Sequence, residues 1–131
     1  MPKTWEEELV EKANGIAKLR KASDYVKTGE VGCALVSGKG NLFLGVSIDA
    51  PCGIGFCAEH AAIASMITNG EYRIKNIVAV CADGTILPPC GRCRELMYQI
   101  DGRNIDADII IDNARVVKLK ELLPEPWQKR F

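Results

Sequence analysis

Two short cysteine segments, Cys57-Ala58-Glu59 and Pro89-Cys90-Gly91-Arg92-Cys93, limit the folds open to this chain more than any other feature. Each opens a stretch that reads as a helix, residues 57–69 and 91–100, and each helix start follows a strand or a loop. For the cysteines to act together, both helix N-termini must point at one spot above a sheet. An α/β layering meets that requirement. Helix starts offer free N–H groups and a partial positive charge, which stabilise thiolates. The Cys-x-x-Cys spacing puts Cys90 and Cys93 on one side of a turn, where both can bite a single ion.

The rest of the chain supplies such a sheet. Thr4-x-x-Glu7 is a capping box, and Trp5, Leu9, Ala13, Ile16 and Leu19 recur at helical spacing behind it. Glu6, Glu7 and Glu8 fall in the first turn, and Lys18, Arg20 and Lys21 are expected at the helix end. Residues 31–37 and 41–48 read as strands joined by a Gly38-Lys39-Gly40 hairpin turn. Residues 76–82 are apolar throughout, as in a strand covered on both faces. Residues 107–111 and 115–119 form two more strands. The short link Asp112-Asn113-Ala114 between them forces an antiparallel pairing, because a parallel crossover needs about a dozen residues. The expectation is a three-layer α/β/α domain spanning residues 1–131, with a mixed five-stranded sheet. The helix over 57–69 is apolar on nearly every side, which suggests burial against another subunit as well as the sheet.

Composition narrows the chemistry. A chain of 131 residues buries enough surface to fold without disulfides, so its six cysteines are free for metal or catalysis. Seventeen basic residues balance seventeen acidic ones, which argues against a nucleic-acid partner. The basic clusters Lys18-Leu19-Arg20-Lys21 and Lys129-Arg130 read as solvated surface. No apolar run is long enough for a membrane span, and the acidic start lacks a signal peptide's apolar core, so a cytoplasmic location is expected.

Three thiolates, from Cys57, Cys90 and Cys93, leave one coordination position open, which is the layout of a catalytic rather than a structural zinc site. Glu59 follows Cys57 too closely in helix phase to be a comfortable fourth ligand. It is placed to hydrogen-bond a metal-activated water and to shuttle its proton.

This constellation resembles the zinc-dependent nucleobase deaminases, whose signature is His or Cys, x, Glu, followed by Pro-Cys-x-x-Cys. The chain is more closely similar to the small cytidine deaminases and their blasticidin S deaminase relatives. Val31-Gly32-Cys33-Ala34-Leu35, Gly45-Val46-Ser47-Ile48-Asp49, Asn69-Gly70 and Glu121-Leu122-Leu123-Pro124 follow that family's order. The resemblance implies one zinc ion per chain and a small nucleoside substrate. It implies hydrolytic removal of the 4-amino group of a cytosine-type ring, with Glu59 carrying the proton. It also implies that the Ala58 N–H holds the base, that Trp127 reaches over it from a neighbouring subunit of a homotetramer, and that Ser47 and Asp49 meet the sugar. At these two sugar positions family members carry Asn and Glu. Gly29 replaces a family aromatic, and the stretch from Gly45 to Cys57 is about one residue short.

Other residues are weighed more plainly. His60, Arg92 and Arg94 are candidates to soften the thiolates by hydrogen bonding. Cys33 and Cys81 read as small core residues, and Cys52 as a loop residue near the site. Asp106, Asp108 and Asp112 read as solvent-facing, and Trp5 as core or interface. Rival functions are a structural zinc module using Cys52 with Cys57, Cys90 and Cys93, a thiol–disulfide exchanger using Cys90 and Cys93, and a base-editing deaminase acting on DNA or RNA.

Overall fold

The structure, a computed structural model, describes residues 2–128, so the Lys129-Arg130 cluster lies outside the described residues. The chain begins with α1 (Trp5–Ile16), β1 (Arg20–Lys21), β2 (Lys27–Ser37) and β3 (Leu42–Asp49). It continues with α2 (Ala58–Thr68), β4 (Ile74–Cys81), β5 (Ile86–Leu87) and α3 (Gly91–Ile100). A 3-10 turn (Gly102–Asp106), β6 (Asp108–Ile110), β7 (Val116–Lys118) and α4 (Leu119–Leu122) complete it.

All the strands join one seven-stranded mixed sheet in which β2 lies between β3 and β4, followed by β6 and β7. This corrects the expected count of five. The two additional strands are two residues long, too short to show a period-two pattern in sequence. β1 extends the β4 edge of β2, and β5 extends the β6 edge of β4. β6 runs parallel to β4, and β7 returns antiparallel to β6, as the short Asp112–Ala114 link demanded. Helices cover both faces. On one, Leu9 and Ala13 of α1 pack against Ala34, Val78, Val80 and Ile110. On the other, Ala62, Ile63 and Met66 of α2 and Met97 of α3 pack against Cys33, Leu35, Ile77 and Ile109. The strand side chains that alternate between these two layers come from the same three strands.

The first helix stops earlier than its apolar spacing suggested. The Ala17 N–H folds back onto Asn14 O at 3.2 Å, closing the helix at Ile16. Lys18 therefore lies past its end, Arg20 and Lys21 form β1, and Leu19 is exposed. Thr4 caps the helix as expected, its hydroxyl accepting from the Glu7 N–H.

Two close approaches set where the second and third helices sit. Gly45 lies directly beneath α2: a Cβ there would stand 2.3 Å from the Ala62 nitrogen, so only glycine lets the helix settle on β3. Asn104, fully buried, clamps α3 to the start of β4. Its Oδ1 accepts from Ile74 N–H at 2.7 Å, while its Nδ2 donates to Tyr72 O and Met97 O, both at 2.9 Å. α2 buries Ala58, Glu59, Ala62, Ile63 and Met66, half-buries Ala61 and Ile67, and exposes Ala64.

Candidate active site and metal centre

Cys57 is the N-cap of α2 and Cys90 the N-cap of α3, so the starts of these two helices carry the cysteines of both sequence segments. The Cys57, Cys90 and Cys93 sulfurs lie within 4.8 Å of one another, with Cys57–Cys90 at 3.4 Å and Cys90–Cys93 at 3.6 Å. Two sulfurs each about 2.3 Å from a tetrahedral ion stand roughly 3.8 Å apart, so the trio fits a single zinc. Among the described residues it is the only group of three or more His, Cys, Asp or Glu side chains so arranged. Cys52 is not part of it, which removes the sulfur that a structural zinc module would have required.

The electrostatics of the trio are uneven. Burial raises the Cys57 thiol, reinforced by the neighbouring Cys90. Burial pushes the Cys93 thiol well up as well, with Glu59 adding to it. For Cys90 burial is outweighed, and the thiol is lowered by the backbone N–H of Cys93, its sulfur neighbours and the backbone N–H of Arg92. Three thiols crowded beside a carboxylate are costly to ionise together without a cation, and a divalent ion removes that cost.

Glu59 is 5% exposed, on the first turn of α2, and burial raises its carboxyl above the ordinary range. It lines a cavity of about 400 Å³ together with Cys57, Ala58, Cys90, Ser47 and Asp49. The cavity therefore brings together Cys57, Cys90, Glu59, Ala58, Ser47 and Asp49, with Cys93 buried behind it against the other two sulfurs, and leaves out Trp127. Trp127 is exposed, and its backbone N–H donates to Glu95 at 2.8 Å. It does not line the cavity of its own chain. A second cavity of about 420 Å³ lies between the start of α1 and the β6–β7 turn, lined by Thr4, Glu7, Ile110, Asp112 and Arg115. Among the described residues it contains neither a metal-ligating cluster nor a cysteine.

The candidate thiolate partners separate clearly. Arg94 is committed to main-chain carbonyls, donating to Pro89 O at 2.8 Å and Leu122 O at 3.0 Å, and so holds the loop before α3 against α4. Arg92 lines the cavity. His60 stacks on Phe56 with ring centroids 5.6 Å apart, and among the described residues its buried Nδ1 has no hydrogen-bond partner. Burial and then the Arg92 charge hold its pKa down. Asp106, Asp108 and Asp112 pair with Lys120, Lys118 and Arg115 on the surface. Cys33 is buried in the core, and Cys81 half-buried in β4.

The sequence reading missed Glu30, which also lines the cavity. Gly29 is left-handed, with φ +81°, and a Cβ there would lie 2.1 Å from Lys18 O. The β2–β3 register slips between Thr28 and Gly32, a bulge that re-aims the following side chain. The Val31 N–H, freed from the ladder, donates to Ser47 Oγ at 3.0 Å. Glycine at an aromatic position was the one signal in the sequence that pointed here.

Comparison with known proteins agrees with this geometry. Residues 3–107 match the family described as the cytidine and deoxycytidylate deaminase zinc-binding region. A cytidine deaminase of Mycobacterium tuberculosis is 30% identical over 99 residues, 74% of this chain and 71% of the relative. A blasticidin-S deaminase of Bacillus cereus is 36% identical over 106 residues, covering 72% of this chain and 74% of the relative. The solved cytidine deaminase of Mycobacterium leprae superposes with TM-score 0.77 at 27% identity, covering 94% of this chain and 100% of that one. Across the described residues no helix is long and apolar enough to cross a membrane.

Proposed function

We propose, from the premise that this chain belongs to the cytidine and deoxycytidylate deaminase zinc-binding family and is a zinc-dependent deaminating hydrolase, that it removes the 4-amino group of a cytosine-type nucleoside by hydrolysis. One observation carries the reading: three sulfurs cluster at two convergent helix starts, and two of them, Cys57 and Cys90, share a cavity with the buried Glu59 carboxylate. Cys57, Cys90 and Cys93 would hold the zinc. When bound, zinc supplies the Lewis acidity that makes water nucleophilic near neutral pH. Glu59 accepts a proton from the attacking water as the water oxygen bonds C4 and delivers that proton to N3 of the ring; it then takes the remaining proton from the new C4 hydroxyl and hands it to the amine as the C4–N bond breaks. Its raised pKa suits a group that must both accept and release protons. The Ala58 N–H, at the first turn of α2 and without an intrahelical acceptor, orients the base. Ser47 and Asp49 face the sugar, and Trp127 of a second copy covers the base in a cytoplasmic homotetramer of one-domain chains.

A second reading keeps the chemistry and changes the substrate to a nucleoside antibiotic such as blasticidin S. The Bacillus cereus relative favours it, as does a Ser47 hydroxyl already engaged with Val31. The test is ammonia release by zinc-loaded protein from cytidine, deoxycytidine, cytosine and blasticidin S, with Glu59→Ala as the blank. Turnover of at least one, lost in the blank, supports the reading. Silence on all four with zinc bound overturns the substrate class.

A further inference from the structure

The chain ends in an arm gripped by α3. After α4 the backbone runs Leu123-Pro124-Glu125-Pro126-Trp127, and its two prolines fix two φ angles and remove two N–H donors. Adjacent residues of α3 hold this stretch at both ends. Arg94 Nη1 donates to Leu122 O at 3.0 Å, and Glu95 Oε1 accepts from the Trp127 N–H at 2.8 Å. The other Glu95 oxygen accepts from Gln99 Nε2 at 3.3 Å, one turn along the helix, so the pin is itself set in place. The grip falls on the main chain and leaves the Trp127 side chain 78% exposed. An indole gains by burial, and a backbone already fixed spares much of the ordering cost of docking it. Its own cavity is not where it docks, because Trp127 is absent from the lining. A second copy offers a matching surface: Val31, Ile48, Leu87 and Pro88 line its cavity, and Ile54, next to the lining residue Gly55, is 71% exposed. Glu95 follows Cys93 by two residues, roughly 200° around the helix, so the pin faces away from the metal centre of its own chain.

We propose that Glu95 is a positioning residue for the active site of a second copy of this chain. By pinning the Trp127 N–H it presets the indole for insertion over that copy's cavity, and it contributes nothing to the metal centre two residues away in its own chain. This rests on the reading above in which Trp127 of a second copy covers the base. A lesion at Glu95 therefore travels with the arm and appears in the neighbour's site, whereas a lesion that merely loosened α3 would appear at Cys90 and Cys93 of the same chain.

The test is subunit complementation, assayed with whichever of cytidine and blasticidin S is turned over. Glu95→Ala should raise KM roughly tenfold, the worth of one charge-assisted hydrogen bond, with kcat little altered. Zinc stoichiometry and chelator competition should stay at the parent values. Glu95→Gln, whose amide oxygen keeps the acceptor, should recover most of the loss. Co-expressed with Glu59→Ala chains, the Glu95→Ala protein should regain the parent KM at roughly half of its sites, because random assembly gives those sites an intact arm from the inactive chain. Trp127→Ala paired in the same way is the control for the arm itself. Recovery there but not with Glu95→Ala, an unaltered KM in Glu95→Ala, or weaker zinc binding would overturn the role of Glu95. No recovery in either pair would show the arm acting within its own chain and would overturn the reading of Trp127 together with the proposal. Were neither compound turned over, the deaminase reading would fail by itself, and Trp127 fluorescence in a Trp5→Phe background would still decide the role of Glu95. Emission that shifts to the blue on assembly, and back toward the red in Glu95→Ala, supports the pin; a solvated indole in the assembled protein overturns it.

Discussion

Replacing Asn104 by Leu should cost about 3–5 kcal/mol of folding stability and weaken the metal centre from a distance. The side chain is fully buried and makes three hydrogen bonds, to Ile74 N–H, Tyr72 O and Met97 O. Leucine fills nearly the same volume but leaves one buried N–H and two carbonyls without this partner. Each unsatisfied group costs about 1–3 kcal/mol, discounted for carbonyls that keep another donor. Against a total stability of roughly 5–15 kcal/mol, the loss is a large fraction. Urea unfolding followed by tryptophan fluorescence should show a lower midpoint at unchanged slope. Because α3 carries Cys90 and Cys93 at its other end, chelator competition should show zinc held roughly tenfold less tightly. Asn104→Asp sharpens the test. Its carboxylate keeps the acceptor for Ile74 N–H but turns an oxygen toward two carbonyls. Its folded pKa must then rise above the unfolded value of about 3.9. The deficit is therefore small below that pH and grows as the pH rises through the folded pKa. A Leu variant that loses under about 1 kcal/mol, or an Asp variant with a pH-independent deficit, would refute the clamp.

Glu59→Gln should lower kcat roughly 100- to 10,000-fold while zinc stoichiometry stays at the parent value; retained turnover would remove Glu59 from proton transfer. Gly45→Ala should destabilise by about 1–3 kcal/mol, because its Cβ would meet α2 backbone at 2.3 Å. Unchanged thermal unfolding would show that the helix can shift freely. Glu71 is held below the usual carboxylate range by hydrogen bonds from Ser37 and Asn41. Its contribution is present above the unfolded pKa of about 4.3 and lost as the pH falls through the folded value, so Glu71→Gln should flatten the acid limb of the stability profile. An acid limb unaltered by the substitution would place that transition elsewhere.

The chemistry was legible before the fold because its determinants are local. The spacing within Cys90-Gly91-Arg92-Cys93 and Cys57-Ala58-Glu59 is set by one helical turn each, and the helix signals beside them set their orientation. The antiparallel end of the sheet was equally local, since Asp112-Asn113-Ala114 cannot span a parallel crossover. Ile86–Leu87 was missed although Asp83-Gly84 before it is a hairpin turn, because two residues carry no periodicity. The first helix was read too long because Leu19 continued an apolar spacing that backbone closure at Asn14 had already ended.

The sequence alone therefore determined the cysteine set, the place of Glu59 beside it and the layering, all of which follow from near-neighbour spacing. Which carboxylates and cations share the cavity depended on contacts between distant segments. β2 begins at Lys27, before the strand that the apolar run suggested, because Gly29 takes a left-handed turn against Lys18 O. Glu30, within that bulge, lines the cavity, and Ser47, sixteen residues beyond Val31, accepts from the Val31 N–H. Arg94 and Arg92, equal candidates in sequence, part because only tertiary packing brings Pro89 O and Leu122 O within reach of Arg94. A side chain's direction at a bulge and its partners across the fold are set by the long-range register of the sheet, to which short-range spacing is blind.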